Sequence, residues 1–168
     1  LTKLSQFSNE LFCRVWVPGN RKELVYSDGN EIESKILKIL ENANDLTSLS
    51  NELEENITDW PSEYHLTQRR ANLLRHIQFE PGMAILELGG GCGGVTRYLG
   101  ETGAAVTMVE GSLRRARCAA ERTRDLANVR VYCANFSEVE FEPVFDFVIL
   151  IGVLEYAPQF WEGQDPFI

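Results

Sequence analysis

The stretch from residue 83 to residue 101 constrains the fold more than any other. An apolar run, Met83-Ala84-Ile85-Leu86-Glu87-Leu88, enters Gly89-Gly90-Gly91-Cys92-Gly93-Gly94, and a helical pattern follows from Val95 to Glu101. A strand therefore runs into five glycines out of six positions and then into a helix. Glycine removes every side chain between a ligand and the backbone and allows positive φ. The start of the helix offers unpaired N–H groups and the positive end of its dipole. A ligand with an anionic group is expected there, at the carboxyl edge of a sheet.

The texture after residue 83 supports such a sheet. Ala105 to Glu110, Val129 to Cys133 and Phe145 to Gly152 are further strand candidates, with a helix predicted over Leu113 to Leu126. Their Val, Ile and Leu are nearly continuous, as strands buried on both faces require. The rhythm predicts an α/β fold, a Rossmann-like parallel sheet with helices on both faces. Before it, Cys13-Arg14-Val15-Trp16-Val17 and Glu23-Leu24-Val25-Tyr26 are β-like runs joined by Pro18-Gly19-Asn20-Arg21, which predicts a hairpin. Ile32, Ile36, Leu37, Ile39 and Leu40 repeat at helical spacing. Leu46, Leu49, Leu53 and Ile57 mark a second helix ended by Pro61, and a third is expected from Ser62 to Ile77. The division predicted is an N-terminal hairpin and helical cap over 1–80 and a partial Rossmann-like domain over 81–168.

Composition narrows the function classes. The 168 residues carry 16 Lys and Arg against 25 Asp and Glu, a net charge of −9, which argues against nucleic acid or an anionic membrane as the main partner. The longest apolar stretch, Phe147 to Leu154, is far too short to span a bilayer, and Leu1-Thr2-Lys3-Leu4-Ser5-Gln6 has no signal core. A soluble, cytoplasmic protein is expected. Cys13, Cys92, Cys118 and Cys133 form no C-x-x-C pair, so no metal site is expected and the thiols are taken as free. Cys92 is expected as a small residue in a tight turn rather than a nucleophile. Arg114, Arg115, Arg117, Arg122 and Arg124, with Glu121 and Asp125, are expected to form a solvated face with local ion pairs.

Two ligand classes fit the glycine loop. Gly89, Gly91 and Gly94 satisfy the dinucleotide pattern G-x-G-x-x-G, while Glu87, Gly89, Gly91 and Gly93 satisfy an acidic-x-G-x-G-x-G pattern. Glu87 separates them. A carboxylate at the end of the first strand repels a nearby pyrophosphate by about a kcal/mol or more. It favours a ligand bearing an ammonium and a sulfonium, as S-adenosylmethionine does. Glu110, 23 residues later, closes Val106-Thr107-Met108-Val109-Glu110-Gly111-Ser112 and can accept from ribose hydroxyls. Asn135 and Phe136, after the third strand, can read an adenine edge by side-chain amide, backbone N–H and ring.

Residues 83–156 resemble the class I S-adenosylmethionine-dependent methyltransferases. Glu87-Leu88-Gly89-Gly90-Gly91-Cys92-Gly93 is similar to that family's glycine motif, and Glu110 to its ribose-binding acid. Asn135-Phe136 stands where the family usually has Asp before a small or apolar residue. Phe145-Asp146-Phe147-Val148-Ile149-Leu150-Ile151-Gly152-Val153-Leu154-Glu155-Tyr156 resembles the fourth-strand motif, whose end lines the methyl-transfer pocket. The resemblance implies S-adenosyl-L-methionine as cofactor, with Glu87, Gly89, Gly90, Gly91, Gly93, Glu110, Gly111, Ser112, Asn135, Phe136 and Ile151 around it. Such enzymes often carry a covering helix before the first strand. Trp60-Pro61-Ser62-Glu63-Tyr64-His65-Leu66 enters it here, so Tyr64 or His65 is placed near the cofactor's methionine end. The N-terminal part also resembles methyltransferase modules found with bacterial glycosyltransferases.

Methyl transfer needs alignment, exclusion of water and, for an oxygen nucleophile, a base. Glu155 and Tyr156, just past the fourth strand, are the candidates for that base. The family's sheet usually has more strands than the four found after residue 83, which leaves Val148 to Ile151 as an apolar edge. Leu1 is also not Met. A sheet truncated after its fourth strand is expected, in a fragment of a longer polypeptide or with a partner subunit covering the edge. The acceptor is expected to be a small molecule or a saccharide. Two rivals stand beside this reading: an NAD(P)-dependent oxidoreductase, disfavoured by Glu87, and a non-catalytic cofactor-binding module of a larger multidomain protein.

Overall fold

The computed structural model describes residues 1–10, 14–19, 30–141 and 144–154. In chain order the elements are β1 (Thr2–Lys3), β2 (Ser8–Glu10), β3 (Val15–Val17), α1 (Asn30–Asn42), α2 (Asn51–Glu55), α3 (Trp60–Leu66), β4 (Ala84–Leu88), α4 (Gly94–Glu101), β5 (Ala105–Glu110), α5 (Leu113–Arg122), β6 (Val129–Cys133), β7 (Val139–Glu140) and β8 (Phe147–Leu150). Six of the strands form one sheet in the order β2-β3-β6-β5-β4-β8, and β1 pairs with β7 apart from it. Every pairing in the large sheet is parallel except that of β2 with β3. The Rossmann-like parallel sheet is thus present, with five parallel strands.

Strand order positions the site. From β4 the chain winds outward through β5 to β6, then crosses back to place β8 on the other side of β4. The reversal lies between β4 and β8, and in open parallel sheets a ligand crevice forms at the carboxyl ends of the strands at such a point. Register lines up those ends: Leu88 lies opposite Val109 and Leu150, and Glu110 opposite Cys133.

The sheet gains a strand from the N-terminal part. Val15 and Trp16 pair with Val131 and Tyr132 of β6, and the antiparallel partner of β3 is the upstream Ser8–Glu10. Both sides of β3 are therefore occupied among the described residues, and the run Glu23-Leu24-Val25-Tyr26, expected as its hairpin partner, lies outside them. At the other end β8 has no outer neighbour among the described residues. Val148 is 55% exposed there and Leu150 36%.

Helices α4 and α5 lie on one face of the sheet. Val95 and Leu99 of α4 pack with Ile85, Val106 and Ile149, and Ala116, Ala119 and Ala120 of α5 pack with Val15, Met108 and Val131. On the opposite face, Leu86, Val109 and Tyr132 are covered by Phe7 and Val139, with Trp16, Phe141 and Phe145 around them.

The cap helices start and stop where local chemistry dictates. In α3 the Asp59 carboxylate accepts from the Ser62 N–H at 2.9 Å, and the Ser62 hydroxyl accepts from the Asp59 N–H at 3.0 Å. Pro61 sits in the first turn, where its missing N–H costs nothing, so it opens this helix instead of ending the previous one. Thr67, at ψ 139°, stops α3, and Gln68–Leu73 continues as a 3-10 turn rather than the long helix expected to Ile77. The second expected helix shrinks to α2, capped by the Ser50 hydroxyl accepting from the Leu53 N–H at 3.1 Å.

The arginines of α5 correct another expectation. Arg115 is buried and its Nε donates to Glu33 Oε1 of α1 at 3.1 Å. Arg122, also buried, donates from Nη1 to the His65 carbonyl of α3 at 2.6 Å. Arg124 donates to the Leu40 and Ala43 carbonyls at 2.8 Å each, capping the end of α1. Arg114 and Arg117 are exposed, and Arg124–Glu121, at 2.6 Å, is a local pair of the kind expected. The arginines face the cap because α1 and α3 pack on this helix, which its own sequence does not disclose.

Candidate functional site

The glycine loop turns sharply at the carboxyl end of β4. Gly89, Gly91 and Gly93 have φ of 73°, 58° and 81°. The Gly89 N–H donates to the Val109 carbonyl at 2.7 Å, and the Gly93 N–H to the Gly90 carbonyl at 3.0 Å. These glycines meet different surroundings. A Cβ built at Gly93 stands 2.8 Å from the Ala119 Cα, against the backbone of α5. One at Gly90 stands 2.7 Å from Met108 and 3.0 Å from Thr96 Oγ1. One at Gly89 reaches 2.5 Å from Val153 Cγ2, past the end of β8. At Gly91 nothing lies within 4 Å. Gly90 and Gly93 let the loop pack onto β5 and α5, and Gly91 has open space on the side a side chain would take.

Two carboxylates flank this turn. Glu110, buried at the end of β5, accepts the Gly91 N–H on Oε2 and the Ser112 N–H on Oε1, each at 2.9 Å. Burial pushes its carboxyl up, against the pull of the Ser112 N–H, Arg115 and the Gly91 N–H. Ser112 caps α5, its hydroxyl accepting from the Arg115 N–H at 3.5 Å. Glu87, buried on β4, has no hydrogen-bond partner at Oε2, and Thr96 Oγ1, at the start of α4, has none either. Burial raises Glu87 to about 7; Glu110 adds to the rise, while Thr96 and the charge of Arg70 pull it down.

The raised carboxyl has a measurable consequence without any ligand. An acid whose folded value exceeds its unfolded one stabilises the fold below the unfolded value and loses that contribution as pH rises through the folded one. For Glu87 the window is from about 4.5 to about 7. Relative to Glu87→Gln, the wild-type chain is expected to lose up to about 3 kcal/mol of unfolding free energy between pH 5 and pH 8. Urea unfolding at several pH values measures this, and parallel curves for the two proteins would remove the ionisable Glu87 from the argument.

The other predicted positions spread around the same edge. Gly111 follows Glu110, and its carbonyl accepts the Cys133 thiol at 3.6 Å. Asn135 caps the short 3-10 turn Phe136–Glu138; its Oδ1 accepts from the Ser137 N–H at 3.1 Å and the Ser137 hydroxyl at 2.8 Å. Its oxygen is thus engaged locally, within the turn. Phe136 is 39% exposed. Ile151 packs half-buried against the cluster around Ile85 and Ile149. Tyr64 lies 5.5 Å, ring to ring, from Trp60, and the Arg70 guanidinium sits 4.0 Å over its centroid. Cys92 is buried, its thiol held well up by the Cys118 thiol and by burial, so it packs as a small core residue. Glu155 and Tyr156 lie outside the described residues.

Sequence reasoning missed Thr96, Arg70 and Val153. Thr96 had a signal, since the first turn of a helix after a glycine loop faces the ligand. Arg70 had none, because it reaches the loop only through the turn that ends α3. Among the described residues no group of three His, Cys, Asp or Glu is placed to hold a metal, and no helix is long and apolar enough to cross a membrane.

Residues 85–163 match the family model of a methyltransferase domain. No curated protein matches the chain. Among solved structures, it is similar to a Haemonchus contortus phosphoethanolamine N-methyltransferase 2 in complex with phosphomonomethylethanolamine and S-adenosylhomocysteine, at 31% identity over 53% of this chain and 22% of that one, TM-score 0.46. A coclaurine N-methyltransferase bound to N-methylheliamine and S-adenosylhomocysteine is 21% identical over 77% of this chain and 44% of that one, TM-score 0.47. A geranyl diphosphate methyltransferase in complex with its diphosphate and sinefungin is 18% identical over 71% and 55%, TM-score 0.45. The chain spans 22% and 44% of the lengths of the first two. The matched segment holds the glycine turn, the buried Glu87 before it and the buried Glu110 on the next strand, and over residues 85–163 the chain is similar to methyltransferase domains.

Proposed function

We propose that this chain binds S-adenosylmethionine at the carboxyl ends of β4 and β5 and serves the transfer of its methyl group to an O, N or C nucleophile of a small-molecule or saccharide acceptor. The observation that carries the reading is the buried Glu87 carboxyl, with one oxygen lacking any partner, beside the open backbone of Gly91. A buried carboxylate without a partner is costly, and a cation set against it removes that cost. The ammonium and sulfonium of S-adenosylmethionine are such cations, whereas the pyrophosphate of a nicotinamide dinucleotide is an anion.

The other residues fit the same molecule. Glu110 keeps lone pairs for both ribose hydroxyls beyond its bonds to Gly91 and Ser112. Gly89, Gly90, Gly91 and Gly93 give close backbone approach, and Gly111 and Ser112 continue that wall. The Asn135 amide donors and the Phe136 ring face the adenine, Ile151 lines the transfer pocket, and Tyr64 covers the methionine end. The sulfonium supplies an already activated methyl group. The protein then aligns the acceptor and keeps water out. Glu155 and Tyr156 stay as candidates for the base. In this reading residues 1–80 form the cap and residues 81–168 the cofactor domain, and the remainder of a longer chain or a partner subunit covers the β8 edge. Cys92, Cys118 and Cys133, which form no disulfide among the described residues, accord with a reducing, cytoplasmic setting.

Calorimetry of the chain against S-adenosylmethionine, S-adenosylhomocysteine and NADH tests the cofactor. The first two should bind and NADH should not, and Glu87→Gln should weaken S-adenosylmethionine by about tenfold, the loss of one charge-assisted contact. Strong NADH binding, with S-adenosylmethionine affinity indifferent to Glu87→Gln, would overturn the reading. Label transfer from methyl-labelled S-adenosylmethionine into small-molecule and saccharide pools then separates an enzyme from a binding module.

A further inference from the structure

Arg70 lies in the 3-10 turn after α3, and its Cβ stands 3.6 Å from the position a Cβ on Gly94, the first residue of α4, would take. Its guanidinium rests 4.0 Å over the Tyr64 ring, and that ring also contacts Trp60 and His65 at 5.5 and 5.1 Å between centroids. Among the described residues, no carboxylate forms an ion pair with Arg70. Its charge is nonetheless close enough to act on Glu87. The glycine turn is therefore bordered by one buried anion lacking a partner at Oε2 and one cation held in place by an aromatic face, and neither is hydrogen-bonded to the other. The first turn of α4 adds its N–H groups beside the cation.

An amino-acid head group is a zwitterion, and two fixed opposite charges on either side of a bare-backbone turn are its complement. We propose that Arg70, set by its stacking on Tyr64, reads the α-carboxylate of the cofactor's methionine moiety beside the first turn of α4, while Glu87 takes the α-ammonium. This rests on the reading above that the ligand is S-adenosylmethionine. It makes Arg70 a cofactor-binding residue that the glycine motif does not contain, and it gives Tyr64 a positioning role exerted through Arg70.

The test compares S-adenosylmethionine with its decarboxylated form, which keeps the sulfonium, ribose, adenine and amine and lacks only the carboxylate. On the full chain, Arg70→Ala should weaken S-adenosylmethionine by about 10- to 100-fold, the range for hydrogen bonds to a charged group, and leave the decarboxylated ligand unchanged. Arg70→Lys should recover part of the loss, since a point charge replaces a planar fork. Tyr64→Leu should produce a smaller loss with the same selectivity. Thermal melts of each variant establish that it is folded. Equal losses for both ligands, or no loss for either, would overturn the assignment of Arg70. Failure of the wild-type chain to bind S-adenosylmethionine or S-adenosylhomocysteine would instead overturn the cofactor reading, which separates the two.

Discussion

Gly93→Ala is expected to unfold the chain at a markedly lower temperature, while Gly91→Ala carries only the smaller cost of backbone strain and removes cofactor binding. Both residues have positive φ, 81° and 58°, so each variant carries the strain of a side chain in the left-handed region, about 1–2 kcal/mol. Their surroundings then separate them. The new methyl at residue 93 would lie 2.8 Å from the Ala119 Cα, and helix backbone does not yield as the end of a flexible side chain does. Overpacking of that kind adds about 1–3 kcal/mol. The total, about 2–5 kcal/mol, is a large part of the roughly 5–15 kcal/mol that holds a domain together. At residue 91 the methyl meets no protein atom within 4 Å and stands in the space assigned above to the proposed cofactor. Thermal melts and calorimetric titration with S-adenosylmethionine on both variants check this. If Gly91→Ala binds as the wild type does, the open side of the loop is not the binding side.

A second large effect is expected at the pair joining α1 to α5. Glu33 has no exposed side-chain surface and Arg115 only 9%, with 3.1 Å between them. Removing one member of a buried pair leaves the other charged in a poor solvent, at a cost of about 3–5 kcal/mol. Arg115→Met should show that loss in urea unfolding, and Glu33→Leu combined with Arg115→Met should regain most of it, because an apolar contact replaces the pair. Function should not return with stability. Arg115 also pulls down the Glu110 carboxyl that burial pushes up, and Glu33 offsets only part of that pull. The double variant should therefore melt close to the wild type yet bind S-adenosylmethionine more weakly, most of all at low pH, where Glu110 is protonated first. Recovery of both properties together would assign Arg115 to packing alone.

These two effects differ in how far the sequence announced them. The glycine turn was legible because its chemistry is local. Five glycines between an apolar run and a helical pattern leave few alternatives to a strand, a turn and a helix, and β4, β5 and β6 fall where the apolar runs placed them, within a residue. Glu87 and Glu110 were legible for the same reason: each closes or nearly closes its strand, so parallel pairing brings both to one edge. The N-terminal part was less legible. Proline gives the same breaking signal whether it ends one helix or opens the next, and only the reciprocal bonds of Asp59 and Ser62 show that Pro61 opens α3. The strand Val15–Val17 was visible as an extended run, but its neighbour β6 lies more than a hundred residues away, and alternation does not encode a distant partner.

The parallel sheet, the bare-backbone turn and the acids at its rim follow from local pattern alone, because period, glycine content and strand-end position act over a few residues. Long-range packing settles which glycine faces open space and which faces Ala119, and that Arg115 and Arg122 of α5 bind the cap instead of water. It also settles that Arg70 comes to rest beside the turn that holds Glu87. Those outcomes depend on how α1, α3 and α5 pack against one another. Packing follows from the shapes and charges of surfaces far apart in the chain, which no short window of residues contains.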